Sequence, residues 1–290
     1  MLTPRLAVVG LGLIGGSFAK AVRKAGVVGT IAGFDADAVQ MQRALADGVI
    51  DVAANSAAEA VQGADVVLLA VPVLATETAL RELQPGLSAN TILTDVGSTK
   101  QSVLAAVVEV FGRLPPRFIA GHPIAGTEKS GVANAFAELF RGHRVILTPH
   151  ADQDAAAQSV VAGLWTATGA RVVTMDAARH DAIFAATSHL PHLLAFAFVD
   201  MLSRLEGADA EVFPNAGGGF RDFTRIASSS PRMWHDIVRA NAAPISALLR
   251  RQIAELQELS DVIDRGDWQA LATVFENARA VRERHLSRID

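Results

Sequence analysis

The residues of this chain best suited to chemistry fall in a few short stretches. The first is Val8-Val9-Gly10-Leu11-Gly12-Leu13-Ile14-Gly15, a G-x-G-x-x-G turn between an apolar strand-like run and a helical one. Gly10 permits the tight turn, Gly12 lets the backbone approach a pyrophosphate, and Gly15 lets the helix pack close to its strand. Leu13 and Ile14 open that helix, whose N-terminal N–H groups favour an anion. Asp35 follows 20 residues past Gly15, at the end of the next strand-like run. A carboxylate there accepts hydrogen bonds from adenosine ribose hydroxyls and repels a 2′-phosphate. Ala36-Asp37-Ala38 supply no Arg or Lys to bind such a phosphate, so the expected cofactor is NAD. Val71-Pro72 follow another apolar run, Val66–Ala70, and are expected at the same end of the sheet, beside the dinucleotide.

Asp95-Val96-Gly97-Ser98-Thr99-Lys100 and Gly121-His122-Pro123-Ile124-Ala125-Gly126-Thr127-Glu128-Lys129-Ser130-Gly131 close two further runs and should open onto the same crevice. His122, bracketed by glycine and proline, is placed to accept a proton, with an unperturbed pKa near 6.5. Ser98 is placed to hydrogen-bond a substrate or to orient that imidazole. Arg221 and Arg225 are four apart and share a face if their stretch is helical. Guanidinium groups bind carboxylates through two parallel N–H bonds, although an exposed pair beside Asp222 is equally a solvated helix face. His189 and His192 are three apart, a spacing that raises the question of a metal. No third ligand is near them, and no metal is expected.

These residues need elements to hold them. To about residue 175, short β-branched runs (Arg5–Val9, Thr30–Phe34, Val66–Ala70, Ile92–Asp95, Phe118–Gly121, Arg144–Leu147, Arg171–Thr174) alternate with helical spacing such as Ser17–Ala25, Ala36–Asp47, Thr76–Leu83 and Gln101–Phe111. That pattern predicts an α/β domain, a doubly wound parallel sheet covered on both faces, over 1–175. Strand signals then stop. Asp176–Ala186, Leu190–Leu205, Pro231–Ala240, Ala243–Arg265 and Trp268–Ile289 read as helices, with Pro214–Gly219 as a loop, so 176–290 is expected to be all-helical.

Composition limits the alternatives. The 290 residues are 50% hydrophobic and 19% charged, with a net charge of −4, so no basic surplus favours nucleic acid. There is no cysteine, and therefore no disulfide, thiolate nucleophile or Cys-bound metal. That fits a reducing cytoplasm. The start, Met1-Leu-Thr-Pro-Arg-Leu, does not look like a signal peptide, and no uninterrupted apolar run of about 18 residues suggests a membrane span.

The Gly10 turn, Asp95–Lys100 and Gly121–Gly131 together resemble the prephenate/arogenate dehydrogenase family of tyrosine biosynthesis. Ser188-His189-Leu190-Pro191-His192 and Gly219-Phe220-Arg221-Asp222-Phe223-Thr224-Arg225-Ile226-Ala227, followed by Met233-Trp234, resemble its second domain. The resemblance spans nearly the whole chain. It implies a Rossmann-type N-terminal domain and a helical C-terminal dimerisation domain, hence a homodimer through the C-terminal helices. The length leaves no room for an added chorismate mutase or ACT domain. The implied reaction is NAD-dependent oxidative decarboxylation of prephenate or arogenate. The resemblance makes His122 the base, Ser98 its partner, and Arg225 the carboxylate binder, with Arg221 in or beside the site. His192 falls near the substrate, His189 near the nicotinamide, and Thr127 and Glu128 in a loop that gates the cleft or touches the substrate side chain. Trp234 reads as a core or interdomain wedge rather than a substrate contact. His143, His150, His180, His235 and His285 belong to no constellation. Two other readings are a β-hydroxyacid dehydrogenase and a non-enzymatic NAD sensor. The first would have a lysine in the helical half, where this chain has none. The second would not need Ser98, His122 and Arg225.

Overall fold

The computed structural model describes residues 1–285 apart from Glu128 and Glu206. The chain opens with β1 (Thr3–Val9), α1 (Leu13–Lys24), β2 (Val28–Phe34), α2 (Ala38–Ala46), β3 (Val52–Ala53), α3 (Ala57–Val61) and β4 (Val66–Leu69). It continues with α4 (Thr76–Leu83), β5 (Ile92–Asp95), α5 (Lys100–Phe111) and β6 (Phe118–Ile119). These strands form one parallel sheet in the order β3-β2-β1-β4-β5-β6. β1 and β4 are buried along nearly their whole length, which is why they read as unbroken apolar runs. The chain reverses direction across the sheet between β1 and β4, and ligands of such sheets bind outside the strand ends at that point.

The run expected as one strand, Phe118–Gly121, is two. β6 pairs with β5, and β7 (Gly121–Pro123) leaves that sheet to pair antiparallel with β8 (Arg144–Leu147). After α6 (Ala155–Ala167), β9 (Arg171–Thr174) completes this second sheet, in the order β7-β8-β9. The turn out of the first sheet is held by Asp95, whose Oδ1 accepts from the Gly121 N–H at 3.0 Å. A Cβ on Gly121 would lie 3.0 Å from the Asp95 carbonyl oxygen, so the residue before His122 has to be small.

The helical half begins with α7 (Ala177–Phe184), a π-helical turn over Ala185–His189, and α8 (Leu190–Ser203). Together they make one 27-residue helix containing an 18-residue window of mean hydropathy 1.6, apolar and long enough to cross a bilayer by length and composition. His180, Asp181, His189 and His192 interrupt the run, so no unbroken apolar segment is visible in the sequence. α9 (Gly218–Thr224) follows, so Gly218 and Gly219, expected in a loop, are helical. A 3₁₀ turn, Arg225–Ser228, leads to α10 (Pro231–Ala240), where Ser230 caps the helix and Pro231 opens it. The last helices are α11 (Ala242–Asp264) and α12 (Trp268–His285), separated at Gly266, which takes φ +66. The chain divides into two compact units, Met1–Ala242 and one beginning at Ala243. The elements α7 to α10 thus belong to the sheet-bearing unit.

Candidate active site

The glycine turn is built from close backbone approaches. Gly10 takes φ +97, and a Cβ there would fall 2.4 Å from the Ala70 carbonyl oxygen. Val71 directly adjoins this turn, since the same Cβ would lie 3.1 Å from its N. A Cβ on Gly15 would strike the Gly10 carbonyl oxygen at 2.1 Å, so only glycine lets α1 rest on β1. Around Gly12 the opposite holds: an added Cβ meets nothing within 4 Å. Gly12 caps α1 with no side-chain hydrogen bond, leaving N–H donors at a positive helix end. The donor set and the open space fit a pyrophosphate. Asp35 braces the turn, its Oδ2 accepting from the Leu11 N–H at 2.6 Å and its Oδ1 from the Asp37 N–H at 2.8 Å. A carboxylate offers about four lone-pair sites, so capacity remains for a ribose. Beside it is a hollow of about 330 Å³ lined by Phe34, Asp35, Ala36, Met41, Gln42 and Asn55, among others, with no cation in its lining. Pro72 is exposed at the start of a 3₁₀ turn, Val73–Ala75, against which α10 packs.

A second cluster surrounds His122. The Nδ1 atom of His122 is 2.8 Å from Nε2 of His180, and Nδ1 of His180 is 2.8 Å from Oδ1 of Asp181. Phe184 packs on both rings, at centroid distances of 5.1 and 4.5 Å. The Nε2 atom of His122 has no partner among the described residues, and it is not one of the sealed, unpaired polar atoms. It is the atom left open for a proton. Burial, followed by the proximity of His180, Lys100 and His189, holds the His122 imidazole well below 6.5. The His122 imidazole is therefore neutral at neutral pH, its ionisation lying on the acid side of the ordinary histidine value.

Asp181 also joins two helices. The N-cap of α5, Thr99, makes no side-chain cap. Asp181 takes its place from α7, accepting from the N–H groups of Lys100 (2.7 Å) and Gln101 (2.9 Å). Burial pushes the Asp181 carboxyl up, but hydrogen bonds from His180 and from these two N–H groups outweigh it and leave the group below its usual range. Beneath the same helix start, Lys100 Nζ is fully buried, 2.5 Å from both Asp95 Oδ2 and the Gly121 carbonyl oxygen. Asp95 Oδ2 also accepts from the Gly97 N–H at 2.7 Å. The Asp95–Lys100 pair thus pins together the loop that carries Ser98, the start of α5 and the strand that carries His122. Ser98 is half-buried, and its hydroxyl has no partner among the described residues.

A third group lies along α8 and α10. The His192 ring stacks on Trp234 at 3.6 Å and 19°, and its Nδ1 donates to the Ser188 carbonyl oxygen at 2.8 Å, leaving Nε2 as an acceptor. Burial pushes its pKa down; the Ser188 contact opposes this and nearby Arg225 reinforces it. Arg225 sits in the 3₁₀ turn packed on α8, while Arg221 is within α9. Both are exposed, and among the described residues neither is in an ion pair, so Asp222 does not neutralise them. His189, expected beside the nicotinamide, is 1% exposed and tied to Asn241 at 3.1 Å, which also donates to the Asp181 carbonyl oxygen. Its pKa is lowered to about 4, chiefly by burial. Thr127 is exposed and accepts from the Lys129 N–H at 3.2 Å; Glu128 lies outside the described residues. Among the described residues, no group of three or more His, Asp or Glu could hold a metal ion.

Sequence reasoning missed His180, Asp181, Asp95, Lys100 and Asn241 as parts of this site. The His180-Asp181 dipeptide in a helical stretch was the available signal, but nothing in the sequence pairs it with His122.

A parallel sheet with a glycine cradle at its reversal point, in a chain that also carries a neutral imidazole on β7, points to the class of dinucleotide-dependent dehydrogenases. Comparison with known proteins narrows the class. The profile described as "Prephenate dehydrogenase, nucleotide-binding domain" matches residues 18–174, and "Prephenate dehydrogenase, dimerization domain" matches 176–277. A cyclohexadienyl dehydrogenase of Zymomonas mobilis is 37% identical, over 96% of this chain and 94% of its own. A prephenate dehydrogenase of Bacillus subtilis is 39% identical, over 94% of this chain and 74% of its own. The crystal structure of Aquifex aeolicus prephenate dehydrogenase, in complex with hydroxyphenyl propionate and NAD+, superimposes with a TM-score of 0.90 at 35% identity, covering 99% of this chain and 98% of that one. The chain belongs to the prephenate dehydrogenase family.

Proposed function

We propose that this protein is an NAD-dependent dehydrogenase that converts prephenate to 4-hydroxyphenylpyruvate and CO₂, with arogenate as the alternative substrate. The observation that carries the reading is the open Nε2 of a neutral His122, in a chain whose Gly12 cradle and Asp35 fit NAD. NAD⁺, when bound, supplies the hydride acceptor. His122 Nε2 takes the proton of the substrate's ring hydroxyl as the hydride leaves the same carbon and a carbonyl forms. The ring carboxylate then departs as CO₂, its bonding electrons make the ring aromatic, and the phenolate oxygen recovers a proton from His122. Ser98, with a free hydroxyl, holds the ring oxygen in register with that imidazole. Arg225 binds a substrate carboxylate, with His192 beside it; Arg221, Thr127 and Glu128 are assigned to the substrate side as well. Gly10, Gly12, Leu13, Ile14, Gly15, Asp35, Val71 and Pro72 form the cofactor side. The family resemblance puts His189 there too, buried and hydrogen-bonded to Asn241.

We assign 1–175 to the dinucleotide domain and 176–290 to the helical domain, supported by the limits of the two matching profiles. The second profile's description and the exposed apolar side chains Ile253, Leu256, Trp268 and Phe275 support a homodimer through the C-terminal helices. The testing experiment follows NADH absorbance with prephenate and with L-arogenate, each with NAD⁺ and NADP⁺. Turnover of prephenate with NAD⁺ is expected. NADH binding without turnover of either substrate would overturn the reading, and light scattering that shows a fully active monomer would overturn the dimer.

A further inference from the structure

The hydrogen bond from Asp181 to His180 is not explained by the work Asp181 does for α5. Capping that helix needs only the carboxylate and the N–H groups of Lys100 and Gln101. His180, 0% exposed, fills the space between this carboxylate and His122 with a ring nitrogen 2.8 Å from each. An ionised carboxylate only accepts, so His180 donates to it from Nδ1, and an imidazole with its single hydrogen there presents Nε2 as an acceptor. The only hydrogen that can fill that acceptor is the one on Nδ1 of His122. The direction of the line is thus set from its buried end.

We propose that His180 and Asp181 are positioning residues, which hold the hydrogen of His122 on Nδ1 and so keep its Nε2 a lone pair open to substrate. The proposal rests on the reading of His122 as the base. An imidazole free in water carries its hydrogen on either nitrogen, and the form with hydrogen on Nε2 cannot take a proton there. Asp181 is a firm anchor because three donors converge on it, two from the backbone of α5 and one from His180. The Phe184 ring, packed against both imidazoles, restrains them from turning over. The same logic orients the histidine in a Ser-His-Asp triad, with one more imidazole in the line here.

The experiment is nitrogen NMR of the full chain with ¹⁵N-labelled histidine, the His122 signals being those lost in His122→Asn. At neutral pH the wild type should show hydrogen on Nδ1 of His122 and none on Nε2. His180→Leu should move population to the Nε2–H form. His180→Gln and His180→Asn separate the two halves of the contact. The Gln carboxamide oxygen reaches the place of the lost Nε2 and accepts from His122, whereas Asn reaches only the place of Nδ1. Gln should therefore preserve the tautomer and Asn should not. In the same proteins kcat should fall about 10- to 100-fold for Leu and Asn, and less for Gln, with NAD⁺ affinity unchanged. A purely structural role would not rank Gln above Asn. Hydrogen on Nε2 in the wild type overturns the proposal even if no variant folds, and so does an unaltered tautomer in His180→Leu. Absence of turnover with prephenate and arogenate would sink the assigned reaction but leave the tautomer result standing.

Discussion

The glycine cradle and the His122 cluster are built by different means. The cradle lies between Gly10 and Asp35, and its functional groups are backbone N–H donors freed by missing side chains. Each residue's task follows from its neighbours in the chain. The His122 cluster is assembled from β5, the start of α5, β7, α7 and the end of α10. Its hydrogen bonds join residues 58 apart (His122 and His180), 81 apart (Lys100 and Asp181) and 60 apart (Asn241 and Asp181). The first kind of site is written locally; the second exists only once distant segments have packed and excluded water. The second should therefore be the more sensitive to burial and charge, and substitutions can test that.

The largest effect is expected at His122. His122→Asn keeps a hydrogen-bonding group of similar reach but cannot take a proton near neutral pH. It should lower kcat by about 10²–10⁴-fold with NAD⁺ affinity nearly intact. The wild-type rate should rise with pH through one ionisation and then stay level. Because the His122 imidazole is held well below 6.5, that rise belongs on the acid side of 6.5 and neutral pH is already on the plateau. The variant should lack the rise. Initial rates across pH for both proteins measure this; a rise centred at or above 6.5, or one that survives in the variant, assigns the base elsewhere, with His192 the next to test.

Acid should damage the buried cluster before the cradle. His189 has an ordinary value of 6.5 that folding lowers to about 4. Above 6.5 both folded and unfolded chains carry it neutral and nothing is lost. As pH falls from 6.5 toward 4 the unfolded chain takes the proton and the folded chain does not, so stability drops; below about 4 both are protonated and the loss levels off. A gap of that size corresponds to about 3 kcal/mol. His122 and His192, lowered in the same direction, add to it. Urea unfolding followed across this window should show the decline, and His189→Gln should make it shallower. A stability that stays flat between 6.5 and 4 would break the contrast between the two regions.

How much was readable in the sequence divides along the same line. The glycine turn, Asp35, the strands β5, β8 and β9, and the helices α4 and α10 could be placed from local pattern, because turn chemistry, β-branching and capping act over a few residues. His122 was found because glycine and proline bracket it. His180 was not, since a histidine inside a helical run looks like any buried or surface residue until its partner 58 positions away is known. The break at Ala120 was invisible for a similar reason: Phe118 to Gly121 is uniformly apolar, and it is Asp95 and β8 that divide it between two sheets. Arg225 lies between these cases, found by resemblance and in no ion pair among the described residues. Arg225→Ala should raise KM for prephenate about 10–150-fold, the equivalent of a charged hydrogen bond worth roughly 1.5–3 kcal/mol, with a smaller change in kcat. Arg225→Lys should recover little, because the parallel pair of N–H donors is lost. An unchanged KM would move the carboxylate site to Arg221.

The smallest effect is expected in the cradle, where the change is made at its solvent edge. Ala36 is exposed, lines the hollow beside Asp35, and has no cation near it in that lining. Ala36→Arg places a guanidinium where the 2′-phosphate of NADP would lie and leaves Asp35 in place. Asp35 has to stay, because its two oxygens hold the Leu11 and Asp37 N–H groups, and removing it would loosen the turn along with the ribose contact. An exposed ion pair contributes about 0.2–1 kcal/mol, so kcat/KM with NADP⁺ should rise by roughly fivefold at most. The preference for NAD⁺ should narrow without inverting, since the carboxylate still repels the phosphate. The gain should shrink as salt is added, because an exposed pair is screened over about 10 Å at 0.1 M ionic strength. Kinetics with both cofactors at two salt concentrations measure it. Equal wild-type efficiency with NAD⁺ and NADP⁺ would show that Asp35 serves the turn alone and selects nothing.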